Sequence, residues 1–139
     1  MKQISNDKWT LFHIYDLFNI DSGSKLDKVK MKTDNPTINF VGRSSANNGV
    51  TDVVNKLDDV EPYEAGNLTL ALGGAYLGSC FVQKSKFYTS QNVVVLIPKI
   101  EMSLFVKQFI ATAIFRESQN NYCAFIKELK IYLLTKICR

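Results

Sequence analysis

The chain has 139 residues, 46% apolar and 22% charged, a length and balance that suit one globular domain and exclude a disordered or low-complexity chain. Seventeen basic against thirteen acidic side chains leave a net charge of +4, compatible with a polyanionic partner but far below histone-like density. The excess is local: ten Lys/Arg and ten Asp/Glu cancel up to Pro98, and seven against three from Lys99 onward supply all of it.

Met1 to Lys8 show no apolar run after Lys2, so no signal peptide is expected. Trp9-Thr10-Leu11-Phe12-His13-Ile14-Tyr15 is aromatic and β-branched and predicts an opening strand. Asp16-Leu17-Phe18 reads as one helical turn, followed by Asn19-Ile20. Asp21-Ser22-Gly23-Ser24 is turn chemistry in which Gly23 is free to take positive φ. Lys25, Lys28, Lys30 and Lys32, opposed only by Asp27, come next. In an extended segment Lys28, Lys30 and Lys32 share one face and form a basic ridge. Such a ridge either protects an edge strand or meets phosphates.

Asn35 before Pro36 is biased to extended geometry, so Thr37–Val41 is expected to continue as a strand. Gly42-Arg43-Ser44-Ser45-Ala46-Asn47-Asn48-Gly49 is a polar loop ending in the turn dipeptide Asn-Gly. A strand follows over Val50–Asn55, then a solvated loop over Asp58–Asn67. Leu68–Leu72, Ser79–Gln83 and Asn92–Ile97 complete the expected strands. The run Val93–Ile97 is a strand's length and far short of a membrane span. Phe105, Phe109 and Ala113 recur every four residues after Ser103, a plausible N-cap, and predict a helix over Ser103–Glu117. Cys123–Leu129 suits a short helix and Ile131–Leu134 a strand. The expected fold is α+β: a single domain with a mixed or antiparallel sheet of short strands and one main helix near the C-terminal end.

Catalytic signals are weak. Cys80, Cys123 and Cys138 have no short pair spacing, and an odd count fits free thiols in a reducing cytoplasm better than disulfides or zinc. His13, the only histidine, has neither a Ser/Cys elbow nor an obvious orienting acid in the sequence. Asp34-Asn35-Pro36-Thr37 matches the Asp/Asn-Pro-Pro-aromatic loop of amino-methyltransferases only faintly, lacking the second proline and the aromatic. Glu128-Leu129-Lys130 is the E-x-K half of a Mg²⁺ nuclease site, with Asp58 or Asp59 as distant acids. Gly73-Gly74-Ala75-Tyr76-Leu77-Gly78 follows a strand without opening a helix, which suits a tight turn between strands better than a nucleotide cradle. No metal or cofactor is expected.

The order of the remaining pieces is more informative. Trp9-x-x-Phe12-x-Ile14-x-Asp16-Leu17-Phe18-x-Ile20-x-x-Gly23 resembles the opening of target recognition domains from type I-like restriction–modification specificity subunits. Ile38–Val50, with its Asn47-Asn48-Gly49-Val50, is similar to that family's "NNGv" stretch, and Ala65–Gly74 to its "g..iti...g" strand. Gly78–Gln83 with Phe87-Tyr88 resembles the "g..fyq...fy" element, and Phe105–Ile114 the helix "alfi.t.i". The match covers about Lys8 to Tyr122. The ending departs from the family's Leu-Pro, with Leu133-Leu134-Thr135-Lys136 in its place.

The resemblance implies a non-catalytic, bacterial, cytoplasmic DNA-binding component that reads part of a split DNA site. Its implied partners are double-stranded DNA and the methyltransferase and nuclease subunits of the same system, with a homodimer left open and no membrane. Family members usually carry two such domains joined by long helices. This chain carries one over residues 1–139 and no long spacer helix, as a half-sized or truncated subunit would. For such a reader the base-contact candidates are Arg43, Ser44, Ser45, Asn47, Asn48 and Tyr76, because Arg pairs with guanine and Asn with adenine through two hydrogen bonds. The phosphate candidates are Lys25, Lys28, Lys30, Lys32, Lys84 and Lys86. For Asn47-Asn48-Gly49, plain turn geometry stands beside base contact as a reading. The alternatives are an interaction module that binds restriction subunits or itself without reading DNA, through Ile131, Leu133, Leu134 and Ile137, and, more remotely, a Mg²⁺-dependent nuclease.

Overall fold

The strongest apolar run of the sequence, Val93–Ile97, is the central strand of the molecule, and the rest is arranged around its two buried faces. The computed structural model describes residues 9–121 and 130–134. Strands β1 (Trp9–His13), β2 (Phe18–Asp21), β3 (Ile38–Val41), β4 (Val50–Val54), β5 (Leu68–Ala71), β6 (Cys80–Val82), β7 (Phe87–Thr89), β8 (Val93–Pro98) and β9 (Lys130–Leu134) accompany helices α1 (Ile14–Leu17) and α2 (Leu104–Asn121). They form an antiparallel four-stranded sheet in the order β2-β8-β5-β6, a mixed three-stranded sheet β4-β3-β7, and a ribbon β1-β9.

Side-chain alternation sorts β8 between two cores. Val94 and Leu96 join Leu68, Leu70, Cys80 and Val82 under α1 and α2, where Ile14, Leu17, Ile110, Ala111 and Ile114 close the cluster. Val93 and Val95 point the other way, onto Val41 and Phe87 of the mixed sheet. A strand buried on both faces must be continuously apolar, as this one is. On the outer face of the mixed sheet, Ile38, Phe40, Val54 and Tyr88 are covered by Leu26, Met31, Leu57 and Val60. Each fully buried Leu, Ile or Phe of this kind contributes about 1.5–3 kcal/mol.

The α+β class, the short strands and the single main helix are as the sequence predicts. Helix α2 starts where Ser103 Oγ accepts from the Val106 N–H at 3.2 Å, and it runs to Asn121, one turn past the expected end. Three expectations need correction. The opening strand stops at His13, and the helical turn occupies Ile14–Leu17 rather than Asp16–Phe18. Phe18–Asp21 is itself a strand, paired with β8. Phe87–Thr89 is a further strand, running parallel to β3 with Tyr88 opposite Phe40. The expected helix over Cys123–Leu129 lies outside the described residues, whereas the strand expected at Ile131–Leu134 is present as β9. Among the described residues, no helix is long and apolar enough to cross a membrane.

Candidate nucleic-acid interface

Strands β3 and β4 form a hairpin whose connection is the Gly42–Gly49 loop, closed by the Gly42 N–H on the Gly49 carbonyl at 3.0 Å. The loop folds back on itself. The Ala46 N–H donates to Ser44 Oγ at 3.1 Å, the Gly49 N–H to the Ala46 carbonyl at 2.9 Å, and Asn47 Nδ2 to the Val50 carbonyl at 3.1 Å. Asn47, Asn48 and Gly49 all adopt positive φ, at 51°, 57° and 78°. Asn and Gly tolerate that region best, which explains the dipeptide. At Gly49 an added Cβ would stand 3.2 Å from Phe81 and from Val41, so the loop backbone lies against the sheet.

The loop runs beside β6, the edge strand of the four-stranded sheet. At one end the Arg43 guanidinium lies over the turn between β5 and β6, its Nη1 3.6 Å from where a Gly74 Cβ would be. Midway, Ser45 faces Ser79, Cys80 and Phe81 across a depression of about 250 Å³ whose far wall is Ala111, Thr112 and Phe115 of α2. At the other end Asn48 Nδ2 donates to the Val82 carbonyl at 2.8 Å. The Asn48 carbonyl accepts in return from Gln83 Nε2 at 2.9 Å, and the same Nε2 lies 2.9 Å from Thr69 Oγ1 on β5. Sequence reasoning missed Gln83 and Thr69. Alternation puts Gln83 on the Phe81 face of β6, opposite the core-facing Cys80 and Val82, so no pattern in the sequence marked it as buried.

The β5–β6 connection is a hairpin turn, with the Gly78 N–H on the Ala71 carbonyl at 2.9 Å and a 3-10 turn over Gly74–Tyr76. Tyr76 projects from it and is exposed. Helix α2 grips this turn from behind: Gln119 Nε2 donates to the Leu77 carbonyl at 2.9 Å, and Ser118 fills the space beside Gly78. Arg43, Ser45, Asn47, Asn48 and Tyr76 thus sit on two neighbouring hairpin loops. Arg43, Ser45, Asn47 and Tyr76 are exposed, Asn47 with its Nδ2 on the Val50 carbonyl, whereas Ser44 and Asn48 are half-buried with their side chains engaged within the fold.

The lysine segment departs from the extended ridge expected of it. Lys28–Lys30 form a 3-10 turn because Asp27 Oδ1 accepts from the Val29 N–H at 3.1 Å, a local bond that competes with strand geometry. The segment crosses the outer face of the mixed sheet. Leu26 bridges Ser90 beside β7, and at the far side the Lys32 carbonyl accepts from Asn55 N–H at 2.9 Å. Lys25, Lys28, Lys30 and Lys32 are all exposed. Lys28 stands 3.9 Å from Asp52, and Lys86 3.6 Å from Glu64, both exposed pairs of little energetic consequence. Lys84, also exposed, follows Gln83 directly.

His13 does have an acid beside it, contrary to expectation: Nδ1 is 3.6 Å from Asp16, whose carboxylate also accepts from the His13 backbone N–H at 2.9 Å. The contact clasps the start of α1, and the imidazole stacks on Tyr15. Cys80 is buried, which pushes its thiol well above the ordinary range, away from nucleophile chemistry. Tyr63 is raised by burial and by its hydrogen bond to Asp21. Among the described residues, no three His, Cys, Asp or Glu gather as metal ligands. Cys123, Cys138 and the Glu128-Leu129 part of the E-x-K triplet lie outside the described residues.

A family model for the type I restriction modification DNA specificity domain matches residues 6–133. The chain is 27% identical over 135 residues to the specificity subunit S.BcgI of the type II restriction enzyme BgcI from Heyndrickxia coagulans, covering 93% of this chain and 39% of that one. Its fold is similar to the HsdS subunit of Thermoanaerobacter tengcongensis, with a TM-score of 0.67 at 12% identity, over 94% of this chain and 34% of that one. It is similar too to the S subunit of a type I restriction–modification system from M. genitalium, with a TM-score of 0.64 at 14% identity, over 93% and 35%. The chain therefore spans well under half the length of these relatives.

Proposed function

The chain belongs to the type I restriction modification DNA specificity domain family, and from that premise we propose that it is a sequence-specific DNA reader: a specificity subunit or half-subunit that recognises part of a split site. The observation that carries this reading is the pair of adjoining hairpin loops that present Arg43, Asn47 and Tyr76 outward from a backbone tied to two sheets. Base edges are read by side chains held at fixed positions, and Arg and Asn are the residue types suited to guanine and adenine. Lys25, Lys28, Lys30, Lys32, Lys84 and Lys86 supply mobile cations for phosphates, which need charge rather than exact placement.

In this reading residues 1–139 form one target recognition domain that performs no chemical step. It directs methyltransferase and nuclease subunits of its own system to the DNA, in the cytoplasm of a bacterium. Selection from random duplex DNA with the purified protein, at low and at near-physiological salt, decides it. Enrichment of a short motif is expected, and Arg43→Ala then relaxes the preference at one position by about 1–3 kcal/mol. No enrichment at either salt removes the reading. An interaction module that binds restriction subunits or itself then takes its place, a role favoured by the exposed Leu104, Phe105 and Phe115 of α2.

A further inference from the structure

The loop that presents Arg43 and Asn47 is fixed by side chains that do not themselves face outward. Gln83 is only 1% exposed, so its amide must satisfy its hydrogen bonds inside the protein. It does so by donating to the Asn48 carbonyl and contacting Thr69 Oγ1, both at 2.9 Å, which ties the loop to β5. Asn48 returns the connection through Nδ2 to the Val82 carbonyl at 2.8 Å. The two bonds run in opposite directions between neighbouring residues, Asn48 side chain to Val82 backbone and Gln83 side chain to Asn48 backbone. Together they set both the height of the loop over β6 and its rotation about the strand. Gly49, pressed against Phe81 and Val41, leaves no room for the loop to settle further.

We propose that Gln83 and Asn48 are positioning residues for sequence reading: they never meet a base, but they hold the Gly42–Gly49 loop where Arg43 and Asn47 meet one. This rests on the DNA-reading function proposed above. The consequence is a division between two properties that are usually lost together. Loosening the loop spreads Arg43 and Asn47 over many positions and removes discrimination between sequences. The lysines, on other segments, keep their hold on phosphates.

The experiment compares affinity for a duplex carrying the selected motif with affinity for a scrambled duplex, across a salt series, for the parent, Gln83→Met and Asn48→Gly. Methionine keeps the volume of Gln83 and loses its donors, and glycine keeps the left-handed backbone at position 48 while removing the tie to Val82. Both variants are expected to lower the ratio of the two affinities by about tenfold or more, with scrambled-duplex binding and its salt slope little changed. Amide exchange at Gly42 and Gly49 should quicken in both. Lys84→Ala gives the opposite signature, weakening both duplexes alike and lowering the salt slope by about one.

Folded variants that keep the parent's ratio overturn the inference while leaving the DNA-reading function in place. Equal loss on both duplexes, together with a broadened unfolding transition, also overturns it, because that is the mark of general structural damage. Should Gln83→Met fail to fold, Asn48→Gly decides alone. A parent that enriches no motif removes the premise and the inference with it.

Discussion

Two exposed stretches on this molecule, Gly42–Gly49 and Lys25–Lys32, are built in opposite ways. The first is cross-tied to β5 and β6 by the amides of Asn48 and Gln83 and packed against Phe81 and Val41. The second lies across the outer face of the mixed sheet, pinned by the half-buried Leu26 and Met31, with its lysines in solvent. Under the proposed function, the difference matches what each kind of contact demands. Reading a base edge needs a donor fixed to within a fraction of a hydrogen bond. Meeting a phosphate needs only a charge that can follow a repetitive backbone.

The comparison breaks most visibly at Gly49. Gly49→Ala forces a side chain into the left-handed region and against Phe81 and Val41, and it should cost about 2–3 kcal/mol in a denaturant titration. Leu26→Ala probes the other stretch. It removes part of a half-buried pin, so about 1–2 kcal/mol is expected, with Arg43 and its neighbours undisturbed in an NMR amide map. A reversal of that order would mean that the lysine segment, rather than the loop, is the rigid one.

Titration sharpens the contrast with a smaller effect. The loop's ties to β5 and β6 are made by amides and hydroxyls, which do not ionise. The lysine segment's far end is held by Asp34, whose carboxyl sits below its ordinary value chiefly because Asn55 Nδ2 donates to it at 2.6 Å. Its folded value therefore lies below the unfolded one near ~3.9, so its stabilisation is present above that pH and is lost as pH falls through the folded value. Asp34→Asn should flatten the acid limb of stability against pH slightly, and neither Gln83→Met nor Asn48→Gly should change its shape.

Much of this was legible in the sequence. Val93–Ile97 and the four-residue spacing from Phe105 declared a strand and a helix, because short apolar runs and helical periods leave few other solutions. Asn47-Asn48-Gly49 declared its turn. Phe18–Asp21 was harder: its alternation is there in Phe-Asn-Ile-Asp, but the preceding helical turn blurs where it begins. Phe87–Thr89 is three residues long with no alternation of its own to mark it, and it is held by pairing with β3. The lysine segment was misread because a period of two in charge says nothing about backbone when Asp27 can close a local turn. Gln83 was missed for a related reason: its importance lies in Asn48, 35 residues away in sequence.

The ribbon β1-β9 has a mechanical consequence. Trp9 stands opposite Leu134 in antiparallel register, so the strand that brings the chain into the sheets and the strand that takes it out lie side by side. A fold with neighbouring entrance and exit can be spliced into a longer polypeptide, or cut open elsewhere and rejoined, without stretching the Gly42–Gly49 loop or the β5–β6 turn.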